Sequence, residues 1–283
     1  MDIKKVGIVG CGQMGSGIAL ICAQAGLQVT ARDIEHKYVQ KGLAFIDSFL
    51  TKSVEKGKMT AADKTAIVSR VKGTTDIHDL ADCDIIIEAV LERLDLKRAV
   101  FAELDKVIPA NIILATNTSD LSVIDIAMAT NRTDKVIGTH FFNPPTIMKL
   151  VEVARTIATS EETIKTVQQF IRSIGKEPVL AKDTPGFIVN RLGTPFMLEA
   201  IRMLENGIAT RDDIDNAVKL GLNHPIGPLA LLDFIGLDSV YHGATNIYEE
   251  THDPQYAPPV LMRKMVAAGW LGRKTGKGFY DYK

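Results

Sequence analysis

The sequence predicts an α/β protein in which a doubly wound, mainly parallel sheet is followed by a smaller all-helical C-terminal domain. Three observations predict it. Short apolar segments alternate with longer amphipathic ones up to about residue 183, and a glycine-rich turn joins the first strand to the first helix. No strand pattern intervenes between Thr184-Pro185-Gly186 and the closing Gly278-Phe279-Tyr280-Asp281-Tyr282. A parallel sheet needs this alternation, because each crossover helix must return the chain to the same edge. The expected domains are residues 1–184 and 185–283.

The strands predicted in order are 6–10, 28–33, 84–90, 111–116, 135–141, 149–153 and 178–182, with helical stretches between them. Beyond Gly186, the run FIVNRLGTPFMLEAIRMLENG has apolar residues at helical spacing and stops at Asn206-Gly207. A further helix begins at Thr210, whose hydroxyl can cap it, with Asp213 three residues on in a variant capping box.

At 283 residues, 46% apolar and 24% charged, the chain has the composition of an ordinary two-domain globular protein. A formal net charge of -1 offers no general attraction for nucleic acid or an anionic membrane, so an acidic ligand must be held by local positive groups. Cys11, Cys22 and Cys83 are an odd set without CxxC spacing, which suits reduced thiols and gives no metal site. The opening MDIKKVGIVG runs straight into a strand pattern, and no apolar run approaches the roughly 20 residues of a membrane span. These features together predict a cytoplasmic location.

Gly10-Cys11-Gly12-Gln13-Met14-Gly15 follows the first strand and opens the first helix, the context in which a Rossmann-like turn binds a dinucleotide. Gly10 permits the tight turn, Gly12 the approach of a pyrophosphate and Gly15 close helix–strand packing. The helix N-terminus adds partial positive charge. Asp33 ends the second strand, where a carboxylate can accept from an adenosine ribose and repel a 2′-phosphate, so NAD is the expected cofactor. Arg32 beside it leaves NADP open.

His140 ends an apolar strand, and Glu152 lies twelve residues on, after a turn and a returning strand. Oxidising an alcohol needs a base for the hydroxyl proton, and histidine titrates in the right range. Read alone, a histidine at a strand end is more often structural, and Glu152 could equally be a solvated strand residue.

The segments GCGQMGSGIA, RDI, DCDIIIEAV, ATNTS, HFFNPPTIMKLVEV, DTPGFIVNR, GLNHPIGPLALLDFIGLD and GWLGRKTGKGFYDY resemble the 3-hydroxyacyl-CoA dehydrogenase family over essentially the whole chain. Within it they are most similar to the stand-alone bacterial 3-hydroxybutyryl-CoA dehydrogenases. The resemblance implies interconversion of (S)-3-hydroxyacyl-CoA and 3-oxoacyl-CoA with NAD(H). His140 would be the general acid/base and Glu152 its carboxylate partner. Ser119 would bond the substrate's C3 oxygen, and Asn190 would help fix substrate and histidine. On the cofactor side, with Gly10, Gly12, Gln13, Met14, Gly15 and Asp33, the resemblance adds Glu92 and Lys97 near the nicotinamide ribose. It places Asn117 and Asn143 near the nicotinamide, and Lys274 from the C-terminal tail. Lys52, Lys56 and Lys58, in the helical segment after the second strand, would meet coenzyme A. Without the resemblance, Ser119 reads as a helix N-cap before LSVIDIAMA, Asn190 as a helical polar residue and the lysines as a solvated helix face.

The chain departs from the family pattern at Asp120, where a second small hydroxyl is usual, at Pro145-Thr146-Ile147, and in PLALLDFIG, which lacks a glutamate near position 230. Two other readings use the same fold: a dehydrogenase of a free hydroxy acid, and a catalytically silent dinucleotide-binding protein. The apolar stretches LGTPFMLEAI and PLALLDFIGL suggest a homo-oligomer, with a dimer as the default.

Overall fold

The computed structural model describes residues 3–282, and the chain divides into two compact units, Met1–Thr184 and Pro185–Lys283. The first is built on strands β1 (Lys5–Val9), β2 (Gln28–Arg32), β3 (Val71–Thr74), β4 (Ile85–Glu88), β5 (Ile113–Thr116), β6 (Val136–Phe141), β7 (Leu150–Arg155) and β8 (Glu177–Lys182). They form one eight-stranded sheet in the order β3-β2-β1-β4-β5-β6-β7-β8. Neighbours run parallel throughout except β6 and β7, which are antiparallel. Helices α1 (Gln13–Gln24), α2 (His36–Glu55), α3 (Ala61–Val68), α4 (Leu94–Val107), α5 (Val123–Ala127) and α6 (Glu161–Ser173) connect them.

The central strands β4 (IIIE) and β5 (ILAT) are buried at every position, as strands covered on both faces must be. Ile8, Ile18, Ile85, Ile113, Val153 and Phe170 belong to the core they share with the helices. The sequence reading lacked β3. Its VKGT is short, carries Lys72 and Gly73, and shows no apolar alternation; parallel pairing with β2, Val29 opposite Val71, makes it a strand. The strand expected over 84–90 is shorter, Ile85–Glu88, and the Asp84 carboxylate just before it accepts the Lys4 and Lys5 N–H groups at 2.7 and 2.8 Å.

The second unit is helical, with α7 (Val189–Glu205), α8 (Arg211–Gly221), α9 (Pro228–Ile235), α10 (Leu237–Thr251) and α11 (Val260–Ala267) around a core that includes Leu198, Ile201, Leu229, Leu232 and Met262. Helix α7 stops at Asn206-Gly207, with Gly207 at φ 66°. Thr210 caps α8, accepting from Asp213 N–H at 3.2 Å and donating to its carboxylate at 2.6 Å. A capping box that sequence reasoning did not single out, Thr60 with Asp63, starts α3. Two buried aspartates fasten the unit. Asp215 accepts from the Leu229 and Ala230 N–H groups and the Tyr280 hydroxyl. Asp233 accepts from the Phe279 and Tyr280 N–H groups and the Tyr282 hydroxyl. The tail GFYDY is thereby tied to α9. Among the described residues, no helix is long and apolar enough to cross a membrane.

Candidate active site

The glycine turn sits between β1 and α1. Gly10 adopts φ 102°, and a Cβ there would lie 2.6 Å from the Ala89 carbonyl oxygen; one on Gly15 would lie 1.8 Å from that of Gly10. Any other residue would force the turn apart. A Cβ at Gly12 would meet nothing within 4 Å, and α1 has no side-chain cap at its N-terminus, so its first N–H groups are available to an anion. Asp33 accepts from Cys11 N–H and Ile34 N–H, each at 2.7 Å, which locks the turn to the end of β2. Arg32 is buried and lies 3.7 Å from Glu103 on α4. Open space at Gly12, an uncapped helix start and a fixed carboxylate fit a dinucleotide. Met14 is half-buried and packs on the core. Burial pushes the Cys11 thiol up to about 12, with Asp33 adding to the effect, so it stays protonated beside the turn.

His140 and Glu152 are direct partners in the β6–β7 pairing. Antiparallel register alone sets them side by side, and His140 Nδ1 donates to Glu152 Oε2 at 2.7 Å with both side chains buried. The Phe142 ring lies 4.3 Å from the imidazole, centroid to centroid. The loop after β6 passes through a cis Asn143–Pro144 bond, and the Asn143 Oδ1 accepts from Gln13 Nε2 at 3.0 Å. The loop thus reaches the first residue of α1. Lys176 donates to the Pro145 and Met148 carbonyls at 2.6 and 2.8 Å, and partial burial pulls its ammonium below the usual lysine range.

Beside β6, the loop after β5 carries Asn117 and Ser119. Asn117 Oδ1 accepts from Phe141 N–H at 3.0 Å, one residue past His140. Ser119 is half-buried, and its N–H donates to Glu92 Oε1 at 2.7 Å. It does not cap α5; Ser122 does, through Asp125 N–H, while Asp183 accepts from Val123 and Ile124 N–H. Lys97 is wholly buried, 2.8 Å from Glu88 and 3.2 Å from Glu92. Burial pushes the Glu88 carboxyl up, opposed by the Lys97 ammonium and by bonds from Thr116 and Val90.

Lys52 and Lys56 are exposed at the end of α2, and Lys58 lies beyond it, in the turn that follows Gly57 rather than in a helix. Asn190 lies in the first turn of α7, half-buried. Lys274, in the second unit, pairs with Asp238 Oδ2 at 2.7 Å. Sequence reasoning missed Glu88, Thr118 and Lys176. Glu88 left a signal, since an acid closing the fully apolar strand IIIE has to find a cation.

Residues 5–184 match the model of the 3-hydroxyacyl-CoA dehydrogenase NAD-binding domain, and residues 186–282 that of the 3-hydroxyacyl-CoA dehydrogenase C-terminal domain. The chain belongs to the 3-hydroxyacyl-CoA dehydrogenase family. This dehydrogenase is 48% identical over 278 residues to the 3-hydroxybutyryl-CoA dehydrogenase of Clostridioides difficile, covering 98% of this chain and 99% of the relative. It is 44% identical over 283 residues to the probable 3-hydroxybutyryl-CoA dehydrogenase of Bacillus subtilis strain 168, covering 100% and 99%. Among solved structures, the (S)-3-hydroxybutyryl-CoA dehydrogenase of Ralstonia eutropha matches it with a TM-score of 0.96 at 47% identity, each chain covered in full. The dehydrogenase is an NAD-dependent oxidoreductase.

Proposed function

We propose that the dehydrogenase interconverts (S)-3-hydroxybutyryl-CoA and acetoacetyl-CoA, with His140 moving the proton. The observation that carries this reading is the buried 2.7 Å bond between His140 Nδ1 and Glu152. A carboxylate at Nδ1 fixes the tautomer and stabilises the imidazolium, so proton exchange with the substrate falls to Nε2. In oxidation His140 takes the C3 hydroxyl proton; in reduction it returns a proton to the C3 ketone oxygen. NAD, when bound, supplies the hydride exchange at C3. Gly10, Gly12, Gln13, Met14, Gly15 and Asp33 would hold its pyrophosphate and adenosine end. Glu92, Lys97, Asn117 and Asn143 would hold the nicotinamide end, and Lys274 a further contact. Ser119 and Asn190 would orient the substrate oxygen. Lys52 and Lys56 would meet the phosphates of coenzyme A, where exposed ammonium groups act without desolvation. Asp33, fixed by two N–H groups, and Arg32, turned to Glu103, both favour NAD over NADP.

We assign the first unit to cofactor binding and the second to substrate contacts and dimerisation. Leu192, Leu220, Leu222 and Phe234 are 71%, 86%, 61% and 56% exposed in the second unit, apolar surface that a homodimer would cover. Light scattering should then give twice the chain mass. The buried, protonated thiols suit a cytoplasmic enzyme. The deciding assay compares NADH and NADPH oxidation with acetoacetyl-CoA, longer 3-oxoacyl-CoA thioesters and free acetoacetate. Turnover of acetoacetyl-CoA with NADH, and little with the free acid, is expected. The reverse preference would overturn the substrate assignment.

A further inference from the structure

Glu88, Lys97 and Glu92 form a ladder of alternating charge that ends on the backbone of Ser119. Glu88 takes three donors: Lys97 Nζ at 2.8 Å, Thr116 Oγ1 at 2.7 Å and Val90 N–H at 2.7 Å. The same ammonium lies 3.2 Å from Glu92 Oε2. The other oxygen of Glu92, Oε1, accepts from the Thr118 hydroxyl and from Ser119 N–H. Thr118 Oγ1 in turn accepts from Leu121 N–H at 3.0 Å, which closes the turn around Ser119.

Burying the Glu88 carboxylate with the Lys97 ammonium is a poor way to gain stability, since apolar residues of the same volume usually do as well or better. What the ladder supplies is direction. The segment 117–122 has no regular secondary structure to hold it, and the Glu92 side chain is 33% exposed in the turn before α4. Left to itself, such a carboxylate would sample several rotamers. Anchored on Lys97, which is anchored on Glu88, it has one.

We infer that Glu92 is a positioning residue for Ser119, with Glu88 and Lys97 as the fixed support that keeps its carboxylate on the Ser119 N–H. The inference rests on the reading of Ser119 as the partner of the substrate's C3 oxygen. A hydroxyl that must meet a reacting oxygen tolerates little displacement, and misplacement of about 1 Å can cost on the order of 100-fold in rate.

The test is a double-mutant cycle of Glu92→Gln and Ser119→Ala, with kcat measured on acetoacetyl-CoA and NADH, and NADH binding followed by its fluorescence. In the native background, Glu92→Gln should lower kcat about 10- to 100-fold; in the Ser119→Ala background the loss should shrink to about 3-fold or less. Any weakening of NADH binding should be the same in both. Equal kcat losses in the two backgrounds would overturn the inference. Hydrogen exchange of the free enzyme gives a second readout, independent of substrate: Glu92→Gln should speed exchange across 117–121 and leave β4 and β5 protected. Unchanged exchange there would equally overturn it. If the native enzyme ignores acetoacetyl-CoA, the substrate assignment fails on its own and the exchange data still decide the positioning role.

Discussion

In Met1–Thr184 the buried glutamates Glu88 and Glu152 face Lys97 and His140, whereas in Pro185–Lys283 the buried Asp215 and Asp233 hold backbone N–H groups and tyrosine hydroxyls. The partners decide what each carboxylate can do. A peptide N–H keeps its proton at any physiological pH, so the aspartates can only fix geometry. An imidazole bonded to a carboxylate can take and return a proton near neutrality. The segments GLNHPIGPLALLDFIGLD and GWLGRKTGKGFYDY, as distinctive as HFFNPPTIMKLVEV, are accounted for in part by folding: Asp233 from the first bonds Phe279, Tyr280 and Tyr282 of the second. Distinctive sequence is therefore not the same as reactive sequence.

The contrast breaks most directly at His140. Replacing it with Gln should lower kcat on the order of 100-fold or more while NADH still binds, because the proposed proton carrier is lost and the glycine turn is untouched. Near-normal turnover would end the assignment of the first unit's dyad to chemistry. Asp233→Asn probes the other side. An amide cannot accept at both oxygens, so at least one of the three donors loses its partner. The expected destabilisation is about 1–3 kcal/mol, read as a lower Tm, with kcat per folded molecule unchanged. A fall in kcat at unchanged Tm would show that the tail has a direct part in catalysis, and the contrast between the units would fail.

How much of this was legible follows the same physical line. The doubly wound sheet was readable because β1, β4, β5 and β6 are apolar runs bounded by turn residues, and a buried strand has to look like that. The pairing of His140 with Glu152 needed one more ingredient, the antiparallel register, which spacing suggests but does not determine. β3 was invisible because its pairing with β2, not its own side chains, makes it a strand. The support beneath Ser119 was invisible for a related reason. Glu88, Glu92, Lys97 and Thr118 come from β4, α4 and the loops beside them, and only the parallel stacking of β4 on β5 gathers them.

A further carboxylate sharpens the comparison. Asp105 lies in the first unit, yet it accepts from Asn131 N–H, Asn131 Nδ2 and Arg132 Nε, the last at 2.7 Å. Its partners are a peptide, an amide and a guanidinium, none of which exchanges protons near neutrality, so it should behave like Asp215 and Asp233 despite its location. Burial works to raise its pKa, but the Asn131 and Arg132 bonds outweigh burial and hold the carboxyl below its ordinary value of 3.8. A depressed folded value means that the ionised form is favoured by folding. The stabilisation is therefore present above the ordinary value and is lost as pH falls through the folded one. Asp105→Asn should lower Tm near neutrality, and the gap from the native enzyme should narrow as pH drops below about 4, since the other carboxylates titrate alike in both proteins. Thermal melts at a series of pH values would measure it. A gap that stays constant or widens in acid would mean that Asp105 contributes through packing rather than charge, and its grouping with the structural aspartates would then rest on shape alone.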